Sequence, residues 1–181
     1  IMDQWLEEIR AALPELVVYQ QEPMKKHTTF RVGGPADLYV CRKKQELPVI
    51  LGLAKKKGLA VTVIGNGSNL LVGDKGIRGL VIEVGAQMNA VGVQGNILRA
   101  QAGALLSQVA EKAAADGLGG MEFAAGIPGS MGGAVTMNAG AYGGEMKDVI
   151  RQVTVLTQEC EQTVLSREGL ELSYRDCCMP E

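Results

Sequence analysis

Apolar positions recur at helical spacing near the start of the chain, at Trp5, Leu6, Ile9, Ala12 and Leu13, and stop before Pro14. That spacing predicts an amphipathic helix over residues 3–13 with a packing face. Leu38–Val40 reads as a strand. Residues 46–57 read as a helix that tolerates Pro48 only in its first turn. Lys55, Lys56 and Lys57 meet its negative C-terminal end, and Gly58 stops it. Two β-branched apolar runs, 60–64 and 80–84, read as strands. Strand, helix, strand, loop and strand over 38–84 make a small α/β unit. Gly85 and Asn89 mark a boundary. Beyond it, residues 91–94 and 97–101 flank Gly95-Asn96, a two-residue hairpin signal. Residues 105–116 predict a helix with Leu106, Val109, Ala110, Ala113 and Ala114 on one face and Gly117 at its C-terminal end. Residues 153–156 and 163–165 read as paired strands, and Ser166 as the cap of a short helix ending before Tyr174. The second half is therefore antiparallel α+β. Without repeats or a low-complexity linker, the halves are expected to pack tightly and share one ligand.

The loops carry the candidate chemistry. Phe123–Gly144 holds seven glycines and no charged side chain, far above the usual glycine share of roughly 7%. Glycine-rich backbone of this density serves either a left-handed turn or the close approach of another group. Gly126-Ile-Pro-Gly-Ser130 followed by Met-Gly-Gly-Ala-Val predicts a tight turn feeding a helix N-terminus, which offers free N–H donors to an anion. A tightly packed turn without a ligand explains the glycines equally well. A second loop, Gly65-Asn-Gly-Ser-Asn69, follows the strand at 60–64. Two such loops suit one extended anion, and a dinucleotide pyrophosphate is the natural candidate. Leu70 stands where a third glycine would complete a Rossmann turn, and Gly126–Ser130 lacks the Gly-Lys-Ser/Thr of a P-loop.

Composition narrows the function classes. Hydrophobic residues make up 46% and charged residues 21% of 181, as in a globular protein. A net charge of −2 and a pI near 5.6 give no general attraction to nucleic acid or anionic membrane. Aromatic residues are only 4%, too few for base-stacking platforms. No apolar run approaches the ~20 residues of a membrane span. Asp3, Glu7 and Glu8 do not fit a signal peptide, so a cytoplasmic protein is expected; Ile1 before Met2 suggests a processed or engineered start. Cys41, Cys160, Cys177 and Cys178 lack metal-ligand spacing and are expected as reduced thiols. No metal site is expected.

Four ordered motifs carry a resemblance over residues 24–179. They are His27-Thr-Thr-Phe-Arg-Val-Gly-Gly-Pro-Ala-Asp37; Gly65-Asn-Gly-Ser-Asn-Leu-Leu-Val72 with Asp74; Gly126-Ile-Pro-Gly-Ser-Met-Gly-Gly-Ala134 with Met137-Asn-Ala-Gly140; and Tyr174-Arg175. Together they resemble the UDP-N-acetylenolpyruvoylglucosamine reductase family, flavoenzymes of bacterial peptidoglycan precursor synthesis. The resemblance implies an α+β, two-lobed FAD-binding fold of the vanillyl-alcohol-oxidase/p-cresol-methylhydroxylase type. Residues 1–24 would be a lead-in, 25–85 an α/β lobe and 86–181 an antiparallel α+β lobe. The family's C-terminal substrate domain is absent from these 181 residues.

The implied cofactor is noncovalent FAD, with NADPH as hydride donor and a sugar nucleotide as substrate. FAD would be held by Ile64, Gly65, Asn66, Gly67, Ser68, Asn69 and Leu70, by Gly103, by Gly126, Ile127, Pro128, Gly129, Ser130, Gly132, Gly133 and Ala134, and by Asn138, Ala139 and Gly140. At Gly129 the chain is expected to pass close to the diphosphate with no room for a Cβ, so that Gly129→Val weakens FAD binding more than it weakens the fold. Arg175, in the family's Tyr-Arg motif, would stabilise negative charge on the substrate. The family's proton-donating serine and catalytic glutamate lie in its C-terminal domain. Cys177 stands where the family often has serine. His27, the only histidine, is a candidate for covalent flavin attachment, but the family's noncovalent flavin leaves it a structural or hydrogen-bonding role. The alternatives are another FAD-dependent oxidoreductase on the same scaffold and a non-enzymatic flavin-binding module.

Overall fold

The computed structural model describes residues 1–41 and 43–177. The chain divides into two compact units, the first Ile1–Gln87 and the second beginning at Met88.

The first unit runs α1 (Met2–Ala12), β1 (Tyr19–Pro23), β2 (Pro35–Cys41), α2 (Leu47–Lys56), β3 (Val61–Ile64) and β4 (Ile77–Glu83). Its sheet has the order β1-β2-β4-β3; β2 and β3 run parallel to β4, while β1 is antiparallel to β2. Both faces of the sheet are covered, which explains the apolar run Leu38–Cys41 in β2. Leu38, Val40, Leu80 and Ile82 pack against Trp5, Leu6 and Ile9 of α1 and Ile50 and Ala54 of α2. On the other face, Tyr39 and Val81 meet Met24, Ile64 and Val72. Pro48 lies in the first turn of α2, where its missing N–H costs nothing. The lysines ending α2 do more than meet its dipole, because Lys56 and Lys57 both pair with Glu8 of α1. That pairing holds the Glu8 carboxyl below the usual carboxylate range. Edge strand β1 has no apolar alternation and was not legible in the sequence.

The second unit opens with the predicted hairpin, β5 (Val91–Gln94) and β6 (Ile97–Ala100), followed by α3 (Leu106–Ala115). Then come α4 (Met131–Thr136), a two-residue hairpin of β7 (Gly140–Ala141) and β8 (Gly144–Glu145), and α5 (Met146–Val149). The antiparallel pair β9 (Gln152–Leu156) and β10 (Gln162–Ser166) follows. Leu106 and Ala110 of α3, Ala134 and Val135 of α4, Phe123, Ala139 and Met146 form its core. The short helix expected after Ser166 is one 3₁₀ turn, Glu168–Leu170, whose Gly169 N–H donates to Ser166 Oγ at 3.2 Å. Among the described residues Cys41, Cys160 and Cys177 form no disulfide; Cys178 lies outside the described residues.

Candidate functional site

In the first unit, β3 delivers the chain into the Gly65–Asn69 loop, as the strand-then-glycine pattern predicts. Ile64 ends the strand with its side chain in the core, and Leu70 packs beside it. Between them, Gly67 is buried on the segment before β2: its carbonyl accepts the Thr29 N–H at 3.1 Å. A Cβ on Gly67 would lie 2.0 Å from the His27 carbonyl oxygen. This glycine is therefore required by a backbone contact within the protein. Asn66 and Asn69 are exposed, and Ser68 is half-buried. Among the described residues, the N–H groups of Asn66, Gly67 and Asn69 make no hydrogen bond within the protein.

A cavity of about 340 Å³ adjoins this loop, lined by Gly65 and Asn66 together with Lys26, His27, Thr28, Thr29, Arg31 and Glu83. The last six were not assigned as binding residues from sequence. Four of them, His27, Thr28, Thr29 and Arg31, belong to the motif that carried the resemblance, in which only His27 had been given a role; Lys26 stands just before it. The floor of this region is a polar cluster. His27 Nε2–H donates to Glu22 Oε1 at 2.9 Å, and Nδ1 lies 2.8 Å from the Tyr39 hydroxyl and 3.3 Å from Glu83 Oε2. The imidazole also stacks on Tyr39, with ring centroids 4.1 Å apart. The hydrogen bond from His27, reinforced by Lys26, holds the Glu22 carboxyl below the usual carboxylate range. His27 thus makes the hydrogen bonds expected of it.

In the second unit, the Gly126–Ser130 turn feeds α4, as predicted, with Ser130 as N-cap residue. An isolated bridge pins the turn to the start of α3: Leu106 N–H donates to Gly129 O at 3.0 Å and Met131 N–H to Ala104 O at 2.8 Å. Gly132 N–H donates to Ala102 O at 2.8 Å, and Gly103 N–H to Met88 O at 2.8 Å. Two predicted cofactor donors, Gly103 and Gly132, are therefore spent inside the protein, and the N-terminus of α4 offers an anion less than its position suggests. The N–H groups of Gly126, Gly129, Ser130 and Gly133 make no internal hydrogen bond among the described residues. Gly126, Pro128 and Gly133 are exposed, Ile127 packs partly on the core, and Ala134 and Ala139 lie within it. Gly140 belongs to β7. Asn138 is buried, with its amide bonded on three sides within the protein.

Tyr174 and Arg175 form the tip of a turn closed by reciprocal backbone bonds between Ser173 and Asp176, at 3.0 and 3.3 Å. Arg175 has φ +57° and is exposed, with its guanidinium carbon 5.9 Å from the centre of the Tyr174 ring. A left-handed conformation costs an L-residue on the order of 1–2 kcal/mol, a strain commonly kept at functional sites. The Cys177 thiol donates to Leu170 O at 3.5 Å.

In each unit by itself the loop offers uncharged backbone donors of the kind that suits the pyrophosphate of FAD, and in the first unit cationic Lys26 and Arg31 line the cavity beside the loop. Among the described residues, no group of His, Cys, Asp or Glu could hold a metal ion, and no helix is long and apolar enough to cross a membrane.

Comparison with known proteins agrees with this chemistry. A UDP-N-acetylenolpyruvoylglucosamine reductase from Agathobacter rectalis is 52% identical over 98% of this chain and 60% of its own length. The crystal structure of the Thermus caldophilus UDP-N-acetylenolpyruvylglucosamine reductase superposes with TM-score 0.76 at 34% identity, covering 92% of this chain and 57% of that one. An alkyldihydroxyacetonephosphate synthase shares the fold, with TM-score 0.66 at 18% identity, over 90% of this chain and 34% of that one. The expected FAD-binding α+β fold is thus borne out. The chain spans little more than half the length of these reductases. The family described as FAD binding domain matches residues 35–166, which makes FAD the cofactor of this fold. By that match, which covers well over half of its length, the chain belongs to the family of FAD binding domains.

Proposed function

We propose that this chain is the FAD-binding part of a cytoplasmic reductase that converts the enolpyruvyl group of UDP-N-acetylglucosamine-enolpyruvate to the lactyl ether of UDP-N-acetylmuramate, with NADPH as reductant. The reaction belongs to peptidoglycan precursor synthesis. The Tyr174–Arg175 turn carries the reading, because it presents an always-charged planar fork on an exposed, strained and tightly closed tip. Relatives about half identical over nearly all of this chain support it.

FAD, bound noncovalently, supplies hydride transfer between NADPH and substrate. In the first unit the N–H groups of Asn66, Gly67 and Asn69, with the Ser68 hydroxyl and the Asn69 amide, would offer donors to its pyrophosphate; in the second unit the N–H groups of Gly126, Gly129, Ser130 and Gly133, with the Ser130 hydroxyl, would offer donors of the same kind. These donors neutralise the anion without a buried side-chain charge. Hydride addition to the terminal enolpyruvyl carbon leaves negative charge beside the substrate carboxylate. Arg175 stabilises that charge, for which its guanidinium fork is suited in charge and shape. The proton for the other carbon, and the remaining hold on the sugar nucleotide, come from the length that the relatives carry beyond this chain.

The experiment joins residues 1–181 to that remaining length and replaces Arg175 by Ala. kcat should fall at least about 100-fold, the scale seen when one donor to a developing anion is lost, with FAD content unchanged. An unchanged kcat removes Arg175 from the chemistry, and loss of FAD makes it a cofactor ligand.

A further inference from the structure

Three helices of this chain end in the same way, and one of them differs in a single respect. After α2, α3 and α4 the chain turns through a left-handed residue: Gly58 at φ +63°, Gly117 at φ +73° and Asn138 at φ +40°. In each, the N–H of that residue and of the next one bond back into the last turn. For α4 these are Asn138 N–H to Val135 O at 3.1 Å and Ala139 N–H to Ala134 O at 2.8 Å. Glycine is the usual residue at this position because it has no Cβ to strain. Asparagine tolerates the conformation but adds nothing to the cap that glycine lacks. Its side chain must therefore serve something else.

That side chain is 1% exposed. Nδ2 donates to Glu145 Oε2 at 2.6 Å and to the Ser173 carbonyl at 2.8 Å, and Oδ1 accepts the Lys147 N–H at 2.9 Å. Two partners can only accept and the third can only donate, so the partners fix the orientation of the amide. Three of its four hydrogen-bonding sites are filled. The Ser173 bond reaches 35 positions along the chain to the residue whose backbone closes the Tyr174–Arg175 turn. Ser173, Tyr174, Arg175 and Asp176 are all exposed, so packing does little to hold the turn. The bond from Asn138 ties the turn itself to the buried part of the unit, beside the bond of the adjoining Cys177 thiol to Leu170 O.

We infer that Asn138 is a positioning residue for Arg175, fixing through the Ser173 carbonyl the turn that presents the guanidinium. The inference rests on the catalytic reading of Arg175 for its effect on turnover, but not for its effect on the turn. Asn138 then serves the cofactor loop only through the fold, and its amide is not a FAD ligand.

The test uses Asn138→Asp, which keeps the size, the tolerance for positive φ and the bond from Lys147, but sets a carboxylate against Glu145 and the Ser173 carbonyl. A second variant adds Glu145→Gln, whose amide can donate to the new carboxylate. It restores the Glu145 contact and leaves the Ser173 carbonyl without a donor. Two readouts are taken. Amide hydrogen exchange at Ser173 and Asp176 is measured in the FAD-loaded chain, with α3 as internal reference. kcat, KM and FAD content are measured in the chain joined to the rest of its relatives' length.

In the single variant, exchange at Ser173 and Asp176 should quicken at least tenfold relative to α3. kcat should fall at least tenfold with FAD content within twofold of the parent. The double variant should recover thermal stability while exchange stays fast and kcat stays low. Recovery of slow exchange and of kcat in the double variant would show that Asn138 acts through Glu145 alone and overturn the inference, as would unchanged exchange in the single variant. If exchange quickens while kcat holds, the positioning of the turn stands and the catalytic reading of Arg175 falls.

Discussion

Replacing Gly126 and Gly67 by alanine, one at a time, separates binding from folding. A Cβ at Gly67 would sit 2.0 Å from His27 O and 3.0 Å from Thr28 Cα, with φ at +63°. The left-handed conformation costs about 1–2 kcal/mol for an L-residue. Forcing backbone apart in a packed region typically adds ~1–3 kcal/mol. Gly67→Ala should therefore lower the stability of the FAD-free chain by about 2–5 kcal/mol, a large part of the ~5–15 kcal/mol of an ordinary domain. At Gly126 nothing lies within 4 Å of an added methyl carbon and φ is ordinary. Alanine there restricts the unfolded chain and should leave stability level or raise it by about 0.4–1 kcal/mol. The same methyl group stands beside N–H donors assigned to the pyrophosphate. Gly126→Ala should thus weaken FAD at least tenfold, or about 1.4 kcal/mol. Urea unfolding of the FAD-free chain, followed by circular dichroism, reads the first quantity, and buried Trp5 reports the first unit separately. Calorimetric titration with FAD reads the second. Parental FAD affinity in Gly126→Ala would remove the second loop from the cofactor site. Parental stability in Gly67→Ala would refute the close contact with His27.

Gly129→Val should lower both FAD affinity and the stability of the FAD-free chain, because φ at Gly129 is +151°, a region nearly confined to glycine. The expectation from sequence puts the larger loss on FAD binding, and the strain adds a loss of stability to it; a parental urea midpoint would contradict the strain. Glu22 supplies a pH dependence: its pKa is lowered on folding by His27 and Lys26, so its stabilisation is present above the ordinary carboxylate pKa and is lost as pH falls through the lowered one. Urea midpoints should hold from pH 7 to about 5 and then decline, less steeply in Glu22→Gln than in the parent; equal slopes would refute the assignment.

The elements legible in the sequence are those whose signal is local. The Gly95-Asn96 hairpin appears in the predicted register because two turn residues fix it. Helices α1, α2 and α3 follow from apolar spacing and from the residues that end them. Strand β1 was missed because Tyr19-Gln-Gln-Glu-Pro23 has no buried face; backbone pairing to β2 holds it, with Gln21 at φ +52° left out of the register. The β7–β8 hairpin and α5 are too short to show any period. Hydrogen bonds beyond helical or strand spacing specify them, such as Met146 N–H to Ala139 O.

The site was legible to a different degree, because glycine carries two meanings that a sequence writes identically. Gly67 is required by the His27 carbonyl, and Gly126 has open space around it. Only the second has no explanation inside the protein, so it is the better witness for a ligand. The same reasoning applies to donors. Gly103 and Gly132 looked equivalent to their neighbours until their N–H groups proved to be bonded to Met88 and Ala102. Buried backbone donors are almost always paired within a folded chain. The N–H groups left over on buried Gly67 and Ser130 are therefore a stronger pointer to a ligand than the glycine count that first drew attention to the loops, whereas those of exposed Asn66, Asn69, Gly126 and Gly133 are open to water. Lys26 and Arg31 add positive charge beside one loop; in the sequence Arg31 was conspicuous only as part of a motif, and Lys26 stood just before it.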